Sequence, residues 1–353
     1  MINKYFTQST TATLAVIVLI LSACGAPAPL AQPGLLPTAA IRLPVVVSGP
    51  APVAATATAA LIVATPVPTA IAPAPTMIAP TMIAPTAIAP TIRIAVIGDF
   101  GLAGANEANV AALVKSWHPQ DIITTGDNNY PAGAADTIDA NIGQYYHEFI
   151  APYTGSYGPG AAANHFFPVL GNHDWQTANS QPYRDYFTLP GNERYYTADI
   201  GPLRLFAVDS MPDEPDGTTA ESAQGAWLEQ QLAASTACWN VVAMHHPPFS
   251  SGLHGSSAWM QWPYAAWGAD LVLAGHDHSY ERFDQDGIPY IVNGLGGGAL
   301  YALHSPIAGS KVQFAGAYGA MLLEAGSNSL HIQFITVDGT LVDDMQLAGG
   351  CAR

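Results

Sequence analysis

Side chains suited to metal binding occur in five short motifs, and each motif directly follows an apolar run. Together they supply carboxylate, amide and imidazole donors but no thiolate. This donor set favours iron, zinc or manganese over calcium and argues against a structural zinc site. A carboxylate can bridge two cations through its two oxygens, and Asp127, in the central motif at 126–130, is the candidate for that role. The candidate donors in chain order are Asp99, Asp127, Asn172, His245, His276 and His278.

The loops that carry these donors are predicted to follow β-strands. In an open α/β sheet, loops at the carboxyl ends of strands form the ligand crevice, so five such loops can converge on one point. Apolar runs predict the strands in question at residues 94–97, 122–125, 166–170, 239–244 and 270–274. Helical periodicity predicts helices at residues 105–117, 137–150 and 220–233.

The second half of the chain is rich in predicted strands. Runs at 194–200 and 203–208 flank Gly201-Pro202 and predict a hairpin, and Asp338-Gly339 predicts another. Further strands, mostly antiparallel, are predicted at 290–292, 318–324, 330–337 and 340–345. The order is βαβαβ first and β-rich later. It predicts an α/β fold, a four-layer αββα sandwich of two mixed sheets flanked by helices.

The charge of the chain is strongly acidic and unevenly placed. Its formal net charge is −16, and all 26 Asp and Glu residues lie at or after Asp99. Such a surface repels polyphosphate backbones and argues against a nucleic-acid partner. It is compatible with a protein that binds cations.

The N-terminal quarter predicts export and a tether. Lys4, an apolar run at 14–21 and the sequence Leu-Ser-Ala-Cys at 21–24 resemble a bacterial lipoprotein signal, which implies a signal peptide at 1–23 and a lipid-modified Cys24. An ordinary signal peptide that leaves Cys24 unmodified is the alternative. Residues 24–92 contain repeated Thr-x-Ile-Ala-Pro units, and such frequent proline prevents helix and central strand. They predict an extended tether, with a proline-rich partner ligand as the less favoured interpretation, before a folded domain at 93–353.

Two cysteines remain in that domain. Export would place Cys238 and Cys351 in a compartment where disulfides persist. A bridge between them would attach the C-terminal tail to the domain. The alternative is one buried and one frayed cysteine, both unpaired.

In this order the five motifs resemble those of the calcineurin-like metallophosphoesterase superfamily and, within it, the purple acid phosphatases of the tartrate-resistant type. Many members of the superfamily have a histidine two residues after the first aspartate, where this chain has Gly101. Tyr130, three residues after Asp127, matches the tyrosine that fills this gap in purple acid phosphatases. Asn129 stands where relatives often have an aromatic residue. The resemblance covers residues 93–353.

The resemblance implies two metal sites that share Asp127. One is Asp99, Asp127, Tyr130 and His278, and the other is Asp127, Asn172, His245 and His276. A phenolate is a hard, anionic donor that favours a ferric ion, so the implied pair is Fe³⁺ with Fe²⁺, Zn²⁺ or Mn²⁺. The family's phosphate-contacting histidines, which can protonate the leaving group, correspond to His173 and His254.

The activity implied by the resemblance is hydrolysis of phosphate monoesters. Two cations about 3.5 to 4 Å apart would activate water for direct attack on phosphorus, so no serine or cysteine nucleophile is required. Two alternatives remain open. One is hydrolysis of phosphodiesters or nucleotides at the same site, and the other is a non-catalytic, metal-stabilised surface binding module. The expected partners are a small phosphoester and, through Cys24, a membrane.

Other residues of the same types have simpler explanations. Tyr130 alternatively is a core tyrosine with a satisfied hydroxyl, and His246 is expected beside the ligands or on the surface. The glycine-rich stretch at 294–298 lacks the features of a phosphate-binding loop and predicts a tight turn. Four aromatic residues could line a cleft, although their spacing favours core packing: Trp259, Trp262, Tyr264 and Trp267.

Overall fold

Six strands form the first of two sheets. The structure is a computed structural model that describes residues 91–352. In spatial order the first sheet contains β13 (Leu341–Ala348), β12 (Ser329–Thr336), β11 (Gly319–Ala325), β1 (Ile92–Ile97), β2 (Asp121–Thr124) and β3 (Phe166–Phe167). β1, β2 and β3 run parallel, and the other pairs are antiparallel.

Seven strands form the second sheet. In spatial order they are β10 (Ser310–Phe314), β8 (Tyr280–Gln285), β9 (Ile288–Asn293), β7 (Leu271–Ala274), β6 (Trp239–Ala243), β5 (Leu203–Ala207) and β4 (Tyr196–Ile200). β5, β6, β7 and β9 are parallel, whereas β4, β8 and β10 pair antiparallel with their neighbours. Both sheets are therefore mixed. Together with the helices that flank them, they confirm the predicted αββα architecture.

The α-helices are α1 (Ala105–Ser116), α2 (Gln144–Tyr146), α3 (Asn172–Trp175), α4 (Gln181–Tyr186), α5 (Ala223–Ala233) and α6 (Tyr264–Trp267). α1 buries Val110 and Val114, four residues apart on one face, as helical periodicity requires. α5 buries Leu228 and Leu232 in the same way. Its N-terminus is capped by Ser222, whose side chain accepts a hydrogen bond from the backbone N–H of Gly225. The helices predicted at 105–117 and 220–233 thus form close to their expected positions.

The predicted helix at 137–150 is irregular. It consists of a π-turn at Asp139–Gly143, then α2, then a 3₁₀ turn at His147–Phe149. The Asp139 carboxylate accepts hydrogen bonds from the hydroxyls of Tyr153 and Tyr186. It lies so close to Gly143 that a Cβ there would be 2.1 Å from Asp139 Oδ1. The side-chain network of Asp139 therefore accounts for the wider turn.

Two further differences concern strands. β3 ends at Phe167, short of the predicted residue 170, because Pro168 has no backbone N–H to continue a ladder. β8 and β10 were not predicted, since neither has a clear apolar alternation. β8 even buries a carboxylate, that of Glu281, which accepts hydrogen bonds from Ser251 and Ser310.

A disulfide joins Cys238, just before β6, to Cys351, so the predicted bridge is confirmed. The predicted signal peptide at 1–23, Cys24 and nearly all of the predicted tether lie outside the described residues. Within residues 91–352, no helix combines the length and apolar character needed to cross a bilayer.

Candidate metal centre

The predicted donors come from both sheets. Asp99, Asp127 and Asn172 follow β1, β2 and β3 of the first sheet, whereas the three histidines follow β6 and β7 of the second. Asp99, Asp127 and His276 have positive φ values of 54°, 53° and 69°. A non-glycine residue in this region costs about 1–2 kcal/mol, and such strain is found at functional sites.

Close backbone packing brings these loops together. The Asp99 N–H donates to the carbonyl oxygen of Gly126 at 3.0 Å, and the His276 N–H donates to Asp99 Oδ2 at the same distance. Gly171 faces Asp127, and a Cβ at this glycine would lie 2.2 Å from the Asp127 backbone nitrogen. A larger residue at 171 would therefore push apart the loop that follows β2 and the loop that follows β3.

The first group of donors surrounds the Tyr130 hydroxyl. This oxygen lies 3.0 Å from Asp127 Oδ2, 3.1 Å from His278 Nε2 and 3.5 Å from Asp99 Oδ1. His278 Nε2 is 3.3 Å from Asp99 Oδ1, and its Nδ1 hydrogen-bonds to the carbonyl oxygen of Ala299. The remaining ring nitrogen is therefore oriented toward the carboxylates. Asp99, Asp127 and His278 also meet the spacing expected for a metal-binding cluster.

The second group of donors surrounds His245 Nε2. That nitrogen lies 2.9 Å from Asn172 Oδ1, 3.1 Å from His276 Nδ1 and 3.5 Å from Asp127 Oδ1. His245 Nδ1 contacts the carbonyl oxygen of Thr125 at 2.9 Å, which fixes the ring and directs Nε2 into the cluster. Asp127 thus presents Oδ2 to the first group and Oδ1 to the second.

Two carboxylates are buried at the centre of this arrangement. Asp99 is 0% and Asp127 2% exposed, and within residues 91–352 neither forms an ion pair with Lys or Arg. Burying anions without a compensating charge is strongly unfavourable. Carboxylate, phenol, amide and imidazole donors converge on two adjacent points. This arrangement is therefore suited to binding cations. A cation at each point would compensate the charge and use the same donor atoms.

The electrostatic environment favours the neutral forms of Tyr130 and His276. Burial, reinforced by the charges of Asp99 and Asp127, raises the pKa of Tyr130 far above its ordinary value. Burial, followed by the proximity of His245 and His246, holds the pKa of His276 far below its ordinary value. An unprotonated imidazole has a nitrogen lone pair available for a metal ion. In the metal-free protein, the phenol instead keeps its proton and donates it to a carboxylate.

The two predicted proton donors contact different predicted ligands. His173 is half-buried, its ring is 4.5 Å from that of Tyr130, and its Nδ1 contacts the carbonyl oxygen of Pro131 at 2.5 Å. Its Nε2 lies 3.9 Å from Asp127 Oδ2. His254 is exposed, and its ring stacks on that of His276 at 4.2 Å. Both imidazoles therefore adjoin the predicted ligands.

Sequence reasoning did not identify Asp277 as part of the site. This buried carboxylate accepts hydrogen bonds from the Ser250 hydroxyl and from the backbone N–H groups of His254 and Gly255. It lies between His276 and His278 in sequence and holds the loop that carries His254. The Gly-His-Asp-His motif contained the signal, because a carboxylate between two candidate ligands is well placed to orient their surroundings.

Asp174 was also not singled out. It is buried and accepts hydrogen bonds from the backbone N–H groups of Asn128 and Gly171. Burial, together with the nearby charge of Asp127, raises the pKa of Asp174 to about 7. Asn129 hydrogen-bonds with Thr137 and Asn141. The loop after β2 is therefore supported by polar contacts at the two positions that follow Asp127.

His246 lies beside the ligands, as expected. It is buried, its Nδ1 contacts the Ser210 hydroxyl at 2.9 Å, and its ring is 4.4 Å from that of His276. Burial, followed by the proximity of His245 and His254, lowers the pKa of His246 to about 3. A neutral imidazole is therefore maintained here as well.

The remaining aromatic and glycine-rich stretches have structural contacts. Trp262 and Tyr264 are buried in the core, whereas Trp259 is partly exposed with its ring 5.6 Å from that of His246. In the glycine-rich stretch, the Gly296 and Gly298 N–H groups donate to backbone carbonyls of the first loop. This stretch therefore supports the loop of Asp99 through its backbone, as expected for a turn.

Comparisons with known proteins agree with the motifs. The family model for calcineurin-like phosphoesterases matches residues 92–280. Human tartrate-resistant acid phosphatase type 5 is 26% identical over 238 residues, which cover 58% of this chain and 73% of the human protein. Purple acid phosphatase 17 of Arabidopsis thaliana is 25% identical over 249 residues, which cover 61% of this chain and 71% of the plant protein.

Solved structures share the fold at lower identity. Purple acid phosphatase PPD1 from yellow lupin (Lupinus luteus) seeds has a TM-score of 0.60 at 18% identity, with 74% of this chain and 54% of that chain covered. GAP50, the anchor in the inner membrane complex of Plasmodium, has a TM-score of 0.57 at 17% identity, with coverage of 73% and 89%. The family model spans more than half of the sequence, so this chain belongs to the calcineurin-like phosphoesterase family and is a metal-dependent phosphoric ester hydrolase.

Proposed function

We propose that the protein is a binuclear metal hydrolase of phosphate monoesters. The observation that carries this proposal is the position of Asp127, whose Oδ2 lies 3.0 Å from the Tyr130 hydroxyl and whose Oδ1 lies 3.5 Å from His245 Nε2. A carboxylate between two donor groups is suited to bridging two cations. The similarity to acid phosphatases supports monoesters as the substrate class.

The candidate ligands divide into the two groups described above. Asp99, Tyr130 and His278 would hold one metal ion, and Asn172, His245 and His276 the other, with Asp127 shared. When bound there, two metal ions supply Lewis-acid polarisation of the phosphoryl oxygens and activate water near neutral pH. The phenol of Tyr130 favours Fe³⁺ at the first site, with Fe²⁺, Zn²⁺ or Mn²⁺ at the second.

Proton transfer to the departing alcohol is the task of the imidazoles beside these groups. His173 has one ring nitrogen engaged by the carbonyl oxygen of Pro131, which leaves Nε2 facing the centre. The ring of His254 stacks on that of His276, a predicted ligand of the second site. A histidine with a pKa near the working pH is an effective general acid. Either ring is placed to protonate an alkoxide that leaves toward its side.

The proposal is tested by metal analysis and turnover of the purified protein. We expect about two metal ions per chain and a higher kcat/KM for p-nitrophenyl phosphate than for bis(p-nitrophenyl) phosphate. Asp127→Asn should lower activity by at least about 100-fold and reduce the metal content. Asp136→Asn, which changes an exposed carboxylate nearby, is the matched control.

The outcomes distinguish the alternatives. Higher kcat/KM for the diester would make the protein a phosphodiesterase that uses the same residues. Metal binding without turnover of any ester would support the non-catalytic binding module. Full activity of Asp127→Asn would contradict the binuclear centre itself.

We further propose that the chain is exported and anchored by a lipid at Cys24, with the proline-rich stretch as a tether. The Cys238–Cys351 disulfide supports an oxidising compartment, since such bridges are rare in the cytosol. In a bacterial host, the wild-type protein should incorporate labelled palmitate and partition into detergent. Cys24→Ala should lose both properties, and equal labelling of the variant would contradict the anchor.

A further inference from the structure

A cavity of about 240 Å³ opens directly beside the candidate metal centre. Its lining includes Tyr130, His173 and His278. These are two candidate ligands and one candidate proton donor. A phosphoester bound at the centre with its leaving oxygen toward this cavity would place the rest of its alcohol there, with His173 in the lining and the ring of His254 5.5 Å from that of Tyr301.

The rest of the lining is largely apolar. It consists of Leu102, Pro131, Gly298, Ala299 and Tyr301. Leu102 is 49% exposed, although it lies only three residues after Asp99. A large apolar side chain left accessible at the edge of a polar centre marks a binding surface when it continues into a cavity.

The position of Tyr301 is fixed by the centre itself. Its ring stacks on that of His278, with centroids 4.1 Å apart and planes 9° from parallel, and its backbone N–H donates to the His278 carbonyl oxygen at 3.2 Å. On another side, the ring of His254 lies 5.5 Å away. The apolar wall is therefore held in place before any substrate binds, which lowers the entropic cost of binding.

Charge excludes several classes of leaving group. Among the described residues that line the cavity, none is Lys or Arg, and the formal charge of the chain is −16. A second phosphate on the leaving group, as in a nucleoside polyphosphate or a bisphosphate, would find no counter-charge there. A polyol would lose hydration against Leu102 and Pro131 without adequate hydrogen bonding in return.

We infer that this cavity is a subsite for the leaving group, and that the preferred substrates are phosphate monoesters of uncharged aromatic or alkyl alcohols. The inference rests on the proposed monoesterase function and adds the class of alcohol. The size of the cavity is adequate, because a cavity of about 150 Å³ holds benzene. Leu102 and Tyr301 are its specificity-determining residues.

The test uses a series of n-alkyl phosphates from ethyl to hexyl. Their leaving alcohols have nearly equal reactivity, so differences in kcat/KM report contacts with the alkyl chain. We expect kcat/KM to rise about two- to fourfold per methylene until the cavity is filled. Leu102→Ser should reduce the hexyl-to-ethyl ratio at least about threefold and leave inhibition by inorganic phosphate unchanged.

A matched control is Leu341→Ser, because Leu341 is 48% exposed at the start of β13. This variant should preserve the wild-type ratio. Calorimetric binding of the corresponding alkylphosphonates, which are not hydrolysed, provides a second measurement that is independent of turnover. Affinity should rise with chain length in the wild type and less so in Leu102→Ser.

Failure of the subsite and failure of the proposed function give different results. Equal kcat/KM values along the series, or phosphonate affinities that do not depend on chain length, would overturn the subsite. Absence of turnover for every ester, with phosphonates still bound in order of chain length, would overturn the monoesterase function while the apolar cavity remains a binding site. A hexyl-to-ethyl ratio that falls equally in Leu341→Ser would also contradict the assignment of Leu102.

Discussion

The Tyr130 hydroxyl donates a 3.0 Å hydrogen bond to Asp127 Oδ2 inside a cluster almost closed to solvent. Burial and the two nearby carboxylates raise the pKa of this phenol, so in the metal-free protein it keeps its proton. A ferric ion in this position would displace that proton and form a bond to the phenolate. The same contact therefore stabilises the metal-free protein and provides a ligand for the loaded one.

Tyr130→Phe should consequently have two effects. In the metal-free protein it removes one buried hydrogen bond, which lowers the free energy of unfolding by about 1 kcal/mol. In iron-loaded protein it should abolish the visible absorption of a ferric phenolate. Urea unfolding and visible spectroscopy measure these effects, and Tyr301→Phe is the control because Tyr301 adjoins His278 without belonging to the proposed ligands. A visible band that survives in Tyr130→Phe would contradict ligation by this residue.

His254→Ala should distinguish a proton donor from a structural residue. Protonation matters most when the leaving group is a poor one, so kcat for an alkyl phosphate should fall about 10²-fold. Turnover of p-nitrophenyl phosphate, whose leaving group needs little protonation, should fall far less. His304→Ala, which changes another exposed histidine, is the control. Equal losses for both substrates in His254→Ala would indicate a role in binding or folding.

Asp277→Ala should disturb the loop that carries His254. It removes the acceptor of the Ser250 hydroxyl and of two backbone N–H groups, so activity should fall about 10- to 100-fold while the metal content stays near that of the wild type. Asp277→Asn keeps one acceptor oxygen and should recover part of the loss. If Asp277→Asn were no better than Asp277→Ala, the hydrogen bonds to this loop would not be the cause.

Removal of the disulfide should affect stability more than activity. The bridge closes a loop with a sequence separation of 113 residues, and loss of such a bridge typically costs about 2–4 kcal/mol. The double variant Cys238→Ser with Cys351→Ser avoids a new free thiol. Urea unfolding should show the loss, whereas kcat should be retained because Cys238 precedes β6 and His245 follows it. Equal unfolding midpoints would show that the bridge does not stabilise the domain.

His331, on β12 of the first sheet, should contribute pH-dependent stability. Its hydrogen bond to Asp344 raises the pKa of His331; burial opposes this effect, and the hydrogen bond to Glu324 adds to it. A raised pKa in the folded state stabilises the protein below the unfolded value of about 6.5, and this contribution disappears as pH rises through the folded value.

His331→Gln should therefore lower the free energy of unfolding at acid pH, by less than about 1 kcal/mol because the site is partly exposed. At pH about 9 the variant and the wild type should be equally stable, since the imidazole is then neutral in both states of the wild type. Urea unfolding at both pH values measures the difference. A larger difference at alkaline than at acid pH would contradict the interpretation.

The sequence predicted those parts of the molecule that depend on local pattern. α1 and β1 form where the apolar pattern predicted them. In each element the buried residues repeat regularly along the chain, so a short stretch of sequence is sufficient to reveal it. The irregular segment at 139–149 was not predicted, since it depends on tyrosines at 153 and 186 that contact Asp139. β8 was missed because Glu281 is satisfied by residues far along the chain.

The same distinction holds for the site. The seven predicted ligands converge because each lies on a loop that follows a strand, and the ends of these strands meet. The positions of the motifs after apolar runs in the sequence were sufficient to predict this arrangement. Asp277 and Tyr301 were not predicted to act there. The position of Asp277 between two candidate ligands was the available signal for it, but its contact with the loop of His254 joins residues 23 positions apart. The contact of Tyr301 with the ring of His278 likewise joins residues distant in sequence and has no local signal.

Because the donors follow strands of both sheets, the proposed metal centre can form only after both sheets have assembled. Each proposed metal site combines side chains that follow β1–β3 with histidines that follow β6 or β7, and β1 itself pairs with β11, near the end of the chain. A chain that ends before β6 therefore lacks the histidines of both proposed sites. Because β1 pairs with β11, the loop of Asp99 reaches its final support only when the C-terminal strands have been added, so we expect the proposed centre to be completed late in folding.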